Sequence, residues 1–279
     1  MKRQIAALFI PFLLNSVLAA EPTRWYAAVS LGPNIPSRVP QDAKDSSSVP
    51  FSPTAIGTSV FQMPDVLWQN KFGVGASSSI AIGRSWSNHL RVEGEFVYQY
   101  MTRYAGGSYH WQERYPDGRV FLNDDHPNTL PQSITAANVF SLMGDVLYDF
   151  QNDSRIKPFA GAGIGVAWLN SPGSTNAGVL NVTSVNPFVQ TSTPMQATSP
   201  GIDGAAFAWQ IKLGLNYVVR EGLNWFLLYR LFGTSATPLG KSVITTNPGT
   251  PDSTNFIVGK QRMSGIVNNS VELGLAYYF

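Results

Sequence analysis

The chain of 279 residues has no cysteine, which excludes disulfides, thiolate chemistry and an acylated N-terminal Cys as a lipid anchor. Charge is scarce: Asp, Glu, Lys and Arg make up 13% of residues and the net charge is only +2. The basic residues are scattered rather than gathered into a patch, so no nucleic-acid partner is expected. Beyond the N-terminus no run approaches the roughly twenty consecutive apolar residues that a spanning helix needs. Yet the chain is 44% hydrophobic and 12% aromatic. A chain of this kind that crosses a membrane must do so with strands.

What is present begins with Met1-Lys2-Arg3, the apolar stretch Ile5 to Leu18 and the small pair Ala19 and Ala20. These are the charged, greasy and small-residue parts of a secretory signal, so residues 1–20 are read as a signal peptide and 21–279 as one mature domain. The other end carries the clearest pattern. From Asn269 to Phe279 aromatic or aliphatic side chains occupy the odd positions from Val271 onward, which makes one face of a strand greasy and the other polar. About ten residues tilted near 45° cover the apolar band of roughly 25 Å of an outer membrane.

Period-two alternation recurs in seven earlier segments: Arg24 to Gly32, Phe72 to Arg84, Leu90 to Tyr100, Ala136 to Phe150, Ile156 to Leu169, Ala205 to Val219 and Leu223 to Phe232. Connections alternate too. Ser85 to His89, Gln151 to Arg155 and Arg220 to Gly222 are short and polar, while Pro33 to Lys71, Met101 to Thr135, Asn170 to Gly204 and Gly233 to Asn268 are long. The expectation is an all-β, eight-stranded antiparallel up-and-down transmembrane barrel, with short periplasmic turns, four long extracellular loops and both mature termini in the periplasm.

The segments also say which face is inside. Phe207, Trp209, Ile211, Leu213, Leu215 and Tyr217 alternate with Ala208, Gln210, Lys212, Gly214 and Asn216. Bulky apolar groups would overfill a narrow lumen, so they are expected to face lipid. Gly161, Gly163 and Gly165 then leave lumen space beside longer neighbours. Trp25, Tyr148, Phe150, Tyr217, Trp225, Tyr277 and Phe279 are expected in an inner aromatic girdle, and Tyr98, Tyr100, Phe207, Trp209 and Phe232 in an outer one.

With the strands in this register the chain resembles the small outer-membrane β-barrel superfamily of OmpA-like, OmpX-like and opacity-type proteins, and its surface-antigen branch. The likeness is carried by Leu90-Arg91-Val92-Glu93-Gly94-Glu95, by Met143 to Phe150, by Lys157 to Gly165, by Leu228-Tyr229-Arg230 and by Val271 to Phe279. It implies insertion by the barrel-assembly machinery, with Tyr277 and Phe279 as the C-terminal assembly signal, and contact with outer-membrane lipid and lipopolysaccharide.

Ionic residues fall on lumen positions. Glu95, Asp145, Lys212, Arg230 and Glu272 come out at one height, with Arg91, Glu93, Asp149 and Lys157 below them. Buried charges persist only when paired, and Arg230 and Glu272, on the last hairpin, are the expected direct pair. The set is either a gate on a narrow ion path or a salt-bridged plug. A catalytic role is not expected. The histidines are His89, His110 and His126; Asp124-Asp125-His126 lies in a loop, and the His-with-Ser-or-Asp motif of outer-membrane lipid A deacylases and proteases is not apparent. No cofactor or metal is implied.

The first loop is unusually apolar, with Phe61, Met63, Leu67 and Trp68 among Ser, Thr and Pro. It is either a contact patch for a host or envelope protein, or packing against neighbouring loops or lipopolysaccharide. The third and fourth loops are rich in Ser, Thr, Asn, Gly and Pro, which predicts mobile surface segments. The function expected is display of loops for adhesion, as a surface antigen or in the envelope; the alternative is a narrow porin.

Overall fold

In the computed structural model eight strands close into one barrel: β1 (Trp25–Pro36), β2 (Phe72–Ser85), β3 (Leu90–Arg103), β4 (Ala136–Asp149), β5 (Ile156–Ser171), β6 (Ile202–Arg220), β7 (Leu223–Thr234) and β8 (Val267–Tyr278). Each pairs antiparallel with its neighbour in sequence, and β8 pairs with β1. The structure describes residues 24–37, 39–44, 48–51, 59–62, 66–70, 72–86, 89–103, 109–114, 120–123, 136–185, 188–199, 201–238, 242–251, 253–258 and 260–279. Residues 1–20, expected to be a signal segment, lie outside them.

The register fixes the barrel's geometry. Stepping across paired residues from Tyr26 leads through Gly83, Glu93, Asp145, Gly163, Gln210, Phe232 and Asn268 back to Pro36, ten residues up the starting strand. A shear of ten on eight strands tilts them by about 40° and leaves an interior that side chains fill.

Alternation along each strand sorts the side chains. Leu31, Ile164 and Leu273 are 64%, 65% and 53% exposed, whereas Asp145, Arg230 and Glu272 are fully buried. A soluble barrel would show the reverse. Such an exterior is stable only in a solvent of hydrocarbon, so the strands are membrane-spanning elements. Trp25, Tyr148, Phe150, Tyr217, Trp225, Tyr277 and Phe279 all lie exposed at the short-turn end. At the other end the girdle loses one member. Phe232 is fully buried, because it shares the inward parity of Leu228 and Arg230 and packs inside the barrel.

The interior has an apolar upper part. Val97, Met101, Val139, Met143, Leu169 and Phe232 pack together there with Val39, Met263 and Ile266, which enter from the loop side. Near the short turns a smaller group, Leu147, Phe159 and Leu228, packs against Phe226.

Strands run further toward the long connections than alternation indicates, for example to Pro36, Arg103 and Ser171. Past the lipid band the outward face is no longer apolar, so the hydropathy signal ends while backbone pairing continues. The third and fourth connections are largely strand rather than irregular. Ser174–Val185 pairs with Phe188–Ser199, which pairs with Ser242–Thr246, which pairs with Thr254–Val258. Their Thr, Val and Ile content supports strands that hydropathy alone does not mark.

Candidate functional site

The lumen is where the sequence's ionic residues meet. Arg230 of β7 reaches across to β3, where its Nη1 and Nη2 donate to Glu95 Oε2 and Oε1 at 2.7 and 2.8 Å. The same guanidinium donates through Nε and Nη2 to the two oxygens of Glu272, both at 3.0 Å. Its Nη1 also donates to Gln210 Oε1 at 2.6 Å. A planar fork of five donors suits this double bidentate grip.

Lys212 is the second hub. Its ammonium lies 2.6 Å from Glu93 Oε1, 2.7 Å from Glu95 Oε2 and 2.9 Å from Asp145 Oδ2. Glu93, Glu95 and Asp145 bring carboxylate oxygens within 4.8 Å of one another, the spacing of a metal-binding set. Lys212 Nζ touches all three, so the ammonium stands where a metal would. Glu272 is held further by Ser30, Ser77 and Ser270 at 2.5, 2.8 and 2.7 Å, and Glu93 accepts from the Tyr26 hydroxyl at 2.5 Å. Seven of the eight strands contribute to this layer. The exception is β5, which supplies room: a Cβ at Gly163 would collide with the Asp145 carboxylate.

One storey lower, Arg91 donates through Nε and Nη2 to Asp149 at 2.7 and 2.8 Å and lies between the rings of Tyr26 and Phe159. Between the two storeys is a cavity of about 30 Å³, large enough for a water or two, lined by Arg91, Glu93, Glu95, Lys212 and Asn216 among others. Two placements differ from the sequence reading. Glu93 belongs to the upper network through Lys212, because a Lys side chain spans one inward position. Lys157 stays at the rim, donating to Gln151 at 3.4 Å among exposed atoms.

Several network members carry no charge and are not singled out by the sequence: Gln210, Tyr26, Ser30, Ser77, Ser270, and Ser79, which bonds to Ser30 at 2.8 Å and accepts from Arg230 Nη2 at 3.3 Å. Their only signal is that they share inward parity with a charged neighbour, as Gln210 does with Lys212.

Tyr277 and Phe279 lie on the outer face at the short-turn end, their rings stacked at 6.4 Å. Phe61 falls in the strand Ser59–Gln62 and pairs with Val49; Leu67 and Trp68 fall in Val66–Asn70 and pair with His110 and Tyr109. Their side chains, Met63, and Asp124-Asp125-His126 lie outside the described residues. His89 packs on Tyr148 with ring centroids 5.5 Å apart, at the short-turn end.

No family model matches the chain, and no curated protein matches it. Solved structures do. Neisserial surface protein A has 12% identity and a TM-score of 0.43, over 93% of this chain and 100% of that one. The outer membrane protein OprG from Pseudomonas aeruginosa has 11% identity and a TM-score of 0.39, over 91% and 95%. Ail, the attachment invasion locus protein of Yersinia pestis, has 8% identity and a TM-score of 0.32, over 91% and 98%. Likenesses this distant carry no argument about function. The closed strand order and apolar exterior described above define the protein as an eight-stranded membrane barrel.

Proposed function

We propose that the protein is a non-enzymatic barrel of the bacterial outer membrane whose lumen is a structural plug and whose long connections, facing outward, do the work of recognition. The short turns and both mature termini then face the periplasm, and insertion depends on the barrel-assembly machinery reading Tyr277 and Phe279. The observation that carries this reading is the network around Arg230 and Lys212, which ties together seven strands across the lumen and lies beneath an apolar cluster. Permeation needs mobile or hydrated groups along the axis, and these side chains are held by several bonds each.

Display is the function this leaves. Backbone pairing extends the third and fourth connections into a four-stranded sheet, a surface for contact with a host or envelope protein or with lipopolysaccharide. Catalysis is not supported, since the buried carboxylates are engaged by Arg230, Lys212, Gln210 and serine hydroxyls beneath an apolar cluster that keeps a substrate from reaching them. The test is planar-bilayer recording on refolded protein. Absence of unitary conductance is the expected result; reproducible steps in KCl would overturn the plug and favour the narrow porin.

A further inference from the structure

The buried network does not balance its own charge. Among the described residues Glu93, Glu95, Asp145 and Glu272 have Lys212 and Arg230 as their cations, and all six are at most 7% exposed. The storey below adds nothing, because Arg91 and Asp149 neutralise each other. Counted as ionised, the six carry two negative charges in excess inside a barrel walled by lipid, where uncompensated charge is costly.

An independent observation lies higher in the lumen, beyond Val97 and Met143 of the apolar cluster. Among the described residues Asn34 Oδ1, Ser141 Oγ, and both polar atoms of Gln99 and of Asn268 are buried without a hydrogen-bond partner, as is Thr237 Oγ1. These residues are at most 1% exposed. Native interiors leave few such atoms, and a cluster of them marks a ligand or bound water. The positions are systematic. Gln99 stands four residues up its strand from Glu95, Ser141 four from Asp145, Asn268 four from Glu272 and Asn34 four from Ser30, so each is two inward positions above a member of the network. With the strands tilted, the two layers are about 10 Å apart. Among the described residues the inward positions at this level carry no Lys, Arg or His; they are filled by Ser77, Ala167, Ala208 and Phe232.

We infer that the upper lumen binds a small hard cation, held by the side-chain oxygens of Asn34, Gln99, Ser141 and Asn268 and drawn there by the surplus charge below. Neutral oxygens in number are what such cations take, and hydration water on the ion would serve the orphaned amide donors. The surplus of two matches one divalent ion or two monovalent ones. The site is a structural counter-ion site in a closed lumen, and it depends on that closure, which bilayer recording tests separately.

The experiment measures the unfolding midpoint of refolded protein in choline chloride, whose bulky organic cation cannot replace a small hard one, and then with NaCl, KCl or CaCl₂ exchanged in at constant ionic strength. A saturable rise of about 5 °C with at least one small cation is expected, and which salt gives it assigns the charge of the ion. The rise should vanish in Gln99→Leu/Asn268→Leu, which removes ligands and keeps the charge. It should also vanish in Glu93→Gln/Asp145→Asn, which removes the surplus and keeps the ligands; this second variant serves if the first does not fold. Crystals grown with Rb⁺ or Tb³⁺ should show an anomalous peak between Gln99 and Asn268. No cation dependence in the parent, a rise that persists in both variants, or ordered water alone at the amides overturns the inference. So does an infrared carboxylic-acid band showing that protons supply the missing charge.

Discussion

Arg230 and Glu95 sit on strands four apart in a ring of eight, as far from each other as the barrel allows, yet their side chains meet at 2.7 and 2.8 Å. The contact is a strut across the diameter. Its two ends are fixed by different hairpins, so it forms only when the barrel has closed.

Removing the strut should therefore be felt by the whole barrel. Arg230→Ala leaves Glu95 and Glu272 buried without their main cation and should cost about 3–5 kcal/mol, more than any loop substitution. Arg230→Lys should recover only part, since a point-like ammonium cannot grip two carboxylates at both oxygens. Heat-modifiability on gels and urea titration in detergent read the effect; an Arg230→Ala barrel as heat-resistant as the parent would refute the plug.

Lys212→Met should destabilise more than Glu93→Gln. The first leaves Glu93, Glu95 and Asp145 facing one another without the ammonium that each contacts within 2.9 Å, whereas the second removes one surplus carboxylate. Equal unfolding midpoints for the two variants would contradict the hub role of Lys212.

Gly163→Val should block closure, because its side chain would occupy the space of the Asp145 carboxylate. Gly94→Ala, whose Cβ meets nothing within 4 Å, should be nearly neutral. Refolding yield into detergent micelles distinguishes them, and similar yields would mean that β5 does not provide the room described.

Leu273→Arg places a charge in the middle of the exposed apolar band and should cost about 2–4 kcal/mol in a bilayer. Retained stability in lipid vesicles would mean that this face does not meet hydrocarbon.

Phe279→Ala should lower the amount assembled in cells while leaving the stability of the refolded barrel close to the parent's, since the ring is 65% exposed and buries little against the protein. An equal loss in both measurements would make Phe279 a packing residue rather than an assembly signal.

The eight strands were legible because lipid on one side and a filled lumen on the other impose a period of two wherever the band is crossed. The same rule puts Phe232 inside, in parity with Arg230, and not in the outer girdle expected of it. Heights inside the lumen were harder to read. Glu93 belongs with Lys212, not with Arg91, because a long flexible side chain bridges two storeys that a count of residues keeps apart. The sheet formed by the third and fourth connections was hidden, since outside the membrane nothing forces one face to be greasy.

By itself the sequence determined the number of strands, their order and which face meets lipid, because those follow from alternation and from the backbone's need for partners in hydrocarbon. Adjacency on the last hairpin is enough to pair Arg230 with Glu272, as the structure shows; tertiary structure alone decided the pairs made across the lumen. The partners of Arg230 lie on β2, β3, β6 and β8, and the shear of ten sets which inward side chains share a level. The same closure left two negative charges in excess and stacked the unpartnered amides of Gln99 and Asn268 above them, a relationship that exists only once eight separate strands share one axis.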